Sequence, residues 1–404
     1  MKNIRPLYFL FLAIPIVLLY GQVWSGYNVF SAQISKNHVK SEETPGIGGG
    51  VASTIPAGNL NSGILSEIYF PPPGQGMDKQ KKRSPKEMGL QPSVIDQLRE
   101  FILKNPYVAR KTELRWALWR NGYLIHVEGD FGKTVDVASL RKTWHALTVG
   151  ATILQGKIPS LDQKISVWLP ELKGNDAEAT WRHVITQSAG FDYPYADFPD
   201  FKPGEMWTYS DWNPKYLCTA LARVYGKKDY HDNYEDVIRK AYFDVIGLQG
   251  WKLGFVKDPK SGVEDGVRFH FNLDQMGRLG MLVLARGTWN GKEIVPQWFV
   301  EQLETKQTRG MRVNYNGPND GIVGLDRYGN RFKECPYGYM TWVNTDGDYF
   351  QGADKAWAWG SGAGGSKIMW NHKNGIVFAG VGISADPSSN SIPHIIERNI
   401  VINR

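Results

Sequence analysis

The chain predicts an α+β fold, an α/β sandwich. In it an antiparallel sheet built from both chain ends is flanked by helices and broken by a mostly helical insert. Three observations predict it. Strand-like runs come early, at Arg115–Arg120 and Tyr123–Glu128, joined by Asn121-Gly122, a strong hairpin signal. From Ser139 the pattern turns helical for some 150 residues, so the insert covers about 140–300. Strand-like runs return at Tyr337–Val343, Ser366–Trp370 and Ile376–Val381. One sheet then brackets the insert.

The elements follow in order. Lys2 and Arg5 precede an apolar run from Leu7 to Leu19 that continues weakly to Trp24. Residues 1–26 therefore read as a signal peptide or membrane anchor, which places the rest outside the cytoplasm, periplasmic or secreted, with residues 7–24 as the possible anchor. Residues 27–88 read as a Pro/Gly-rich tether, with Pro45-Gly46, Gly48-Gly49-Gly50, Pro71-Pro72-Pro73 and the basic run Lys79–Lys86. The folded domain is 89–404. It opens with an amphipathic helix from Pro92 to Asn105 that aligns Ile95, Leu98, Phe101 and Ile102. Within the insert, Trp181–Ile185, Pro214–Val224, Tyr234–Val245 and Leu273–Arg286 read as helices, and Ser391–Ile402 as a closing helix.

Composition excludes several classes. Hydrophobic residues make up 42% and charged residues 22%, which is ordinary for a globular chain. The net charge of +7 is a mild basic excess, and the basic run lies in the tether, so no nucleic-acid partner is expected. Cys218 and Cys335 form no Cys/His cluster, which argues against zinc. Cys218 reads as a buried free thiol, although an oxidising compartment would allow the two to pair. No Gly-x-Ser-x-Gly elbow is present, and Gly46–Gly50 lacks the Lys-Ser/Thr of a phosphate loop.

One tetrapeptide carries chemistry. Ser139-Leu140-Arg141-Lys142 is the sole Ser-x-x-Lys in the sequence and opens an apolar helical stretch, Trp144 to Leu154. A serine hydroxyl needs a nearby base to attack a carbonyl. Residues three apart share a helix face, so Lys142 can reach Ser139. His145, on the same helix, reads as a packed histidine rather than a base.

The text after Ser139 resembles the serine hydrolases of the class C β-lactamase and penicillin-binding type, from about Trp116 to the C-terminus. Gln155–Asp162 with Leu169–Leu172, Trp181–Gly190, Phe201–Gly204 with Tyr209-Ser210-Asp211, Asn290–Pro296 and Trp359–Gly365 resemble the family's segments in order. The branch of esterases and 6-aminohexanoate-dimer-hydrolase-like amidases is the most similar. The resemblance implies the β-lactamase/transpeptidase-like fold. It implies Ser139 as nucleophile, Lys142 at the base position and Tyr209 as second-motif proton relay. Asp211 replaces the usual Asn of that motif and brings a charge beside Lys142. Trp359 aligns with the third-motif cation that binds a substrate carboxylate, and Gly362 with the strand amide of the oxyanion hole. The expected activity is cleavage of a small ester or amide through an acyl-enzyme, without metal or organic cofactor. A cell-wall DD-peptidase or weak β-lactamase is the alternative enzyme. A surface-tethered binding protein on the same fold is the alternative of another class. A membrane partner is expected only through an uncleaved N-terminal segment.

Overall fold

A computed structural model describes residues 68–107, 113–191, 201–257, 262, 264–313, 334–384 and 390–401. The N-terminal apolar run, the tether to residue 67, Gly46–Gly50, and most of the Tyr193–Phe201 and Thr305–Arg331 loops lie outside these residues. Among the described residues no helix is long and apolar enough to cross a membrane.

The main sheet has six strands. Their order is Trp342–Val343, Trp357–Gly362, Ser366–Asn371, Ile376–Val381, Arg115–Arg120 and Tyr123–Glu128, all antiparallel. The two chain ends meet where Arg115–Arg120 pairs with Ile376–Val381. Asn121 and Gly122 both take positive φ, 47° and 79°, as a tight hairpin between right-twisted strands requires.

Each face of the sheet carries its own core. On one face Ala117, Trp119, Ala358, Ile368, Trp370 and Val377 pack against the helices Arg141–Leu154 and Leu273–Leu284. On the other, Trp116, Leu118, Trp357, Trp359 and Phe378 pack against Val94–Lys104 and Ile392–Arg398. Strand alternation divides the side chains this way.

Three expectations are corrected. The insert is mostly helical, but two strands in it went unread: Glu264–Phe271 and Lys252–Lys257 form a three-stranded antiparallel sheet with Val135–Asp136, which lies just before the insert. The expected strand Tyr337–Val343 shrinks to Trp342–Val343. The tether also ends earlier than residue 88. Tyr69 N donates to Asn121 O at 2.9 Å, and Leu124 N donates to Lys81 O at 2.9 Å, so the segment lies along the sheet's edge strand. A buried ion pair anchors it. Asp274 accepts from Gln80 Nε2 at 2.7 Å, while its partner Arg278 donates to Pro72 O at 2.8 Å. These contacts satisfy polar groups that Pro/Gly-rich chain would otherwise leave to water.

Candidate active site

The site begins at a sharp turn. Val137 N donates to Phe269 O at 3.0 Å, which ties the chain to the small sheet. Ala138 then takes φ 50°, a left-handed conformation uncommon for a residue with a Cβ. Asp136 holds it there by accepting from Ala138 N at 2.8 Å. One turn of 3-10 helix, Ala138–Leu140, leads into Arg141–Leu154, and Ser139 is left partly exposed at the junction.

Lys142 is 1% exposed and reaches back along the helix face. Its Nζ lies 3.1 Å from Ser139 Oγ and 2.6 Å from Asp211 Oδ1. It also stands 4.4 Å from the centroid of the Tyr209 ring, over its face. The sequence-predicted Ser139, Lys142, Tyr209 and Asp211 therefore come together, although Lys142 and Tyr209 are 67 positions apart in the chain.

The Tyr209-Ser210-Asp211 loop is held by Gln187. The Gln187 side-chain oxygen accepts from Ser210 N at 2.8 Å and from Asn213 Nδ2 at 3.1 Å. Asp211 is the N-cap residue of Trp212–Val224, yet its side chain does not cap the helix. It turns to Lys142 instead. Desolvation pushes the Asp211 carboxyl up, but Lys142 and Arg141 outweigh it and hold the group well below the usual carboxylate range. Tyr209 stacks on Trp342 at 6.3 Å and 19°, and meets Tyr337 edge-on at 6.4 Å.

Arg141 also belongs to this site, which sequence reasoning missed. Its side chain is fully buried, and Nη2 lies 3.4 Å from Asp211 Oδ1 and 3.1 Å from Asp265 Oδ2. Asp265 also pairs with Arg268, which reaches Asp136 Oδ2 at 3.3 Å. The only available signal was an arginine placed at the start of an apolar helix, where an unpaired charge is costly.

The strand Trp357–Gly362 closes the site, and here two expectations fail. Ala358, Gly360 and Gly362 face the nucleophile turn. A Cβ on Gly362 would overlap Val137 O, and one on Gly360 would overlap Leu140 and stand 3.0 Å from Thr143 Oγ1. Glycine permits this close approach. Trp359 has the opposite parity. It is 2% exposed and packs in the far core, 4.6 Å from Tyr349 and 4.8 Å from Phe350 by ring centroids. It does not stand in the cation position; the residue facing the site at that level is Gly360. The amides alternate too. Asn344 N donates to Trp357 O at 2.8 Å, so Trp357 and Trp359 present backbone groups to the Trp342–Val343 strand. Gly362 therefore turns its amide toward its Ser366 partner, not to the open edge, and Ser361 takes the outward parity. The cation nearest this strand in sequence register, Lys367, bonds Ser361 Oγ at 2.8 Å on the far face.

The other candidates are structural. His183 and Thr180 form a reciprocal helix cap. His145 Nε2 lies 3.0 Å from Val267 O, deep in the core. Cys218 and Cys335 are both free and buried. Among the described residues no cluster of His, Cys, Asp and Glu has the makings of a metal site.

Known proteins share this architecture. The Beta-lactamase family model matches residues 132–389. A penicillin-binding-protein homologue from Caulobacter crescentus superposes with a TM-score of 0.56 at 16% identity, covering 78% of this chain and 99% of that one. EstCE1, a hydrolase with promiscuous acyltransferase activity, gives 0.54 at 14% identity over 76% and 98%. A β-lactamase of Mycobacterium bovis gives 0.52 at 14% over 76% and 97%. An uncharacterised protein of Alkalihalophilus pseudofirmus is 25% identical over 200 residues, 46% of this chain, and the chain spans only 59% of that relative's length. At these identities the solved structures speak to the fold, which is β-lactamase/transpeptidase-like. The family model spans well over half of the 404 residues, and the chain belongs to the Beta-lactamase family.

Proposed function

We propose that this protein is a serine hydrolase that cleaves an ester or uncharged amide through an acyl-enzyme on Ser139. The observation that carries the reading is the placement of Lys142 Nζ, at once 3.1 Å from Ser139 Oγ and against Asp211 and the Tyr209 ring. Ser139 Oγ attacks the acyl carbon, and its proton passes to the Lys142–Tyr209 pair. The same pair returns that proton to the leaving alcohol or amine. Water then attacks the acyl-enzyme, giving its proton to the pair, and the acid leaves as Ser139 recovers its own. The Ser139 amide and the amide of Ala363, in the turn that follows Gly362, are the proposed oxyanion donors, each worth about 3 kcal/mol when aimed at developing charge.

Substrate class follows from the near face of the closing strand. Ala358, Gly360 and Gly362 offer no cation there, so a substrate carboxylate gains no charge-assisted bond from this strand. Such a bond is worth about 1.5–3 kcal/mol, or roughly ten- to a hundredfold. Short p-nitrophenyl esters should therefore be hydrolysed with far higher kcat/KM than nitrocefin or D-Ala-D-Ala peptides. A preference for either of the latter would favour the β-lactamase or DD-peptidase reading. Fluorophosphonate labelling followed by peptide mapping tests the nucleophile, and absence of any adduct would favour a binding protein that has lost turnover. Lys2 and Arg5 before the Leu7–Leu19 run support an extracytoplasmic location.

A further inference from the structure

We propose that Arg141 is a tuning residue of this site: it shares the Asp211 carboxylate with Lys142, so that an ionised aspartate can touch Lys142 without fixing it as an ammonium. The proposal rests on the acyl-transfer reading above. A lone carboxylate 2.6 Å from a lysine favours the protonated form and so opposes its use as a base. Asp211 is not alone. The same Oδ1 lies 3.4 Å from Arg141 Nη2, and arginine keeps its charge at all working pH. Asp211 and Arg141 together present Lys142 with a nearly neutral pair.

The arrangement behind them keeps that balance. Arg141 Nη2 also bonds Asp265, at 3.0 Å to the carbonyl and 3.1 Å to the carboxylate. Asp265 is matched by Arg268, and Arg268 by Asp136. Lys142, Arg141 and Arg268 thus face Asp211, Asp265 and Asp136, cation against anion along the whole line. Arg141 is not placed for hydrogen bonding alone: its Nε and Nη1 are buried without a partner among the described residues. Leaving two donors unmatched is costly, which suits a residue retained for its charge. Among the described residues four other titratable groups face this cluster, one of them Cys218, which feels both Arg141 and Asp265. Tyr209 offers its ring to Lys142, Tyr337 feels Asp211 through space, and His145 feels both Arg141 and Lys142.

The test is the pH profile of kcat/KM on a neutral p-nitrophenyl ester, for the wild type, Arg141→Gln, Asp211→Asn, the double variant and Arg141→Lys. Removing the Arg141 cation should move the acid limb up by at least about half a pH unit, and removing the Asp211 anion should move it down by a similar amount. The double variant should return to within about 0.3 of the wild type, and Arg141→Lys should leave the limb in place. These signs hold whether the Lys142 amine or the Tyr209 phenolate is the base, because both respond alike to a lost cation. If circular dichroism shows that Arg141→Gln does not fold, the remaining single variants decide. A downward shift in Asp211→Asn with Arg141→Lys unmoved supports the proposal. An unmoved or raised limb in Asp211→Asn, an unmoved limb in folded Arg141→Gln, or simple addition of same-sign shifts overturns it. Fluorophosphonate labelling of the wild type separates the two levels. A labelled Ser139 with unmoved limbs removes the tuning role alone, whereas no labelling removes acyl transfer and the tuning role with it.

Discussion

Lys142 and His145 stand one turn apart on the same helix, both buried, and meet opposite surroundings. Lys142 is 1% exposed and faces the Asp211 carboxylate. His145 is fully buried, and among the described residues its partners are Val267, Tyr234 and Cys218 rather than a carboxylate. Its Nε2–H donates to Val267 O, which leaves Nδ1 to accept from Tyr234 OH at 3.2 Å, with Cys218 Sγ 3.6 Å from Nε2. Burial pushes the His145 pKa down to about 3, with the Arg141 and Lys142 charges adding to it and the Val267 contact opposing. Burial likewise pushes the Cys218 thiol up to about 11. Burial without a counter-charge keeps His145 neutral, whereas beside Lys142 the Asp211 carboxylate meets the Arg141 guanidinium as an opposite charge. One helix thus carries a chemical end and a packing end.

Substitutions at the two ends should fail in different ways. The largest effect is expected from Ser139→Ala, which should reduce turnover to the uncatalysed background and abolish covalent labelling, with the melting temperature nearly unchanged. Lys142→Ala and Tyr209→Phe should each slow acylation by at least about a hundredfold. If they act as one proton-transfer unit, the double variant should be little worse than either single one. Fully additive losses would mean that Tyr209 only positions the substrate.

At the packing end the loss should appear in stability. His145→Leu leaves Val267 O without its donor, and should cost about 1–3 kcal/mol while the folded fraction keeps its kcat within a few fold. The pH dependence sharpens this. An unfolded histidine has a pKa near 6.5, so between that value and about 3 the unfolded chain binds more protons than the native one. His145 therefore contributes stability in full above pH 6.5 and loses it as pH falls, by about 1.4 kcal/mol per unit. His126 and His183 are also held low by burial and add to the raw slope. The informative quantity is the wild-type slope minus that of His145→Leu, from urea midpoints between pH 7.5 and 4.5. A difference near zero would mean that His145 is charged or solvated in the native state.

Much of this was legible from sequence, for reasons that are local. The hairpin around Asn121-Gly122 matches the expected strands residue for residue, because a turn signal flanked by apolar alternation is short-range. Ser139 and Lys142 were legible because helix geometry alone joins them. What was missed is non-local. Glu264–Phe271 buries Asp265 among Val267, Phe269 and Phe271, so its alternation is broken by a charge that only Arg141 and Arg268 explain. The segment from Ile68 reads as tether by composition, and its ordering depends on Asp274 and Arg278, some two hundred residues away in the chain. Trp359 was misplaced by one residue, and one residue moves a strand side chain to the other face.

The smallest expected effect lies in the second contact of His145. Tyr234→Phe keeps the ring and its edge-on packing against His145 at 5.8 Å, and removes only the hydroxyl that donates to Nδ1. Stability at pH 7.5 should fall by about 1 kcal/mol, the usual net worth of one such bond. The acid response should change as well. The lost donor bond favoured neutral imidazole, so without it His145 protonates more readily in the native state and its folded pKa rises toward the unfolded value. The stability slope would still begin near pH 6.5, but it would level off at a higher pH than in the wild type. Activity should stay within about twofold, because Tyr234 touches neither Lys142 nor Ser139. A Tyr234→Phe protein with wild-type stability and an unchanged slope would mean that Nδ1 takes its bond from elsewhere, and the packing end would then need a different account of how a neutral histidine is kept beneath a charged site.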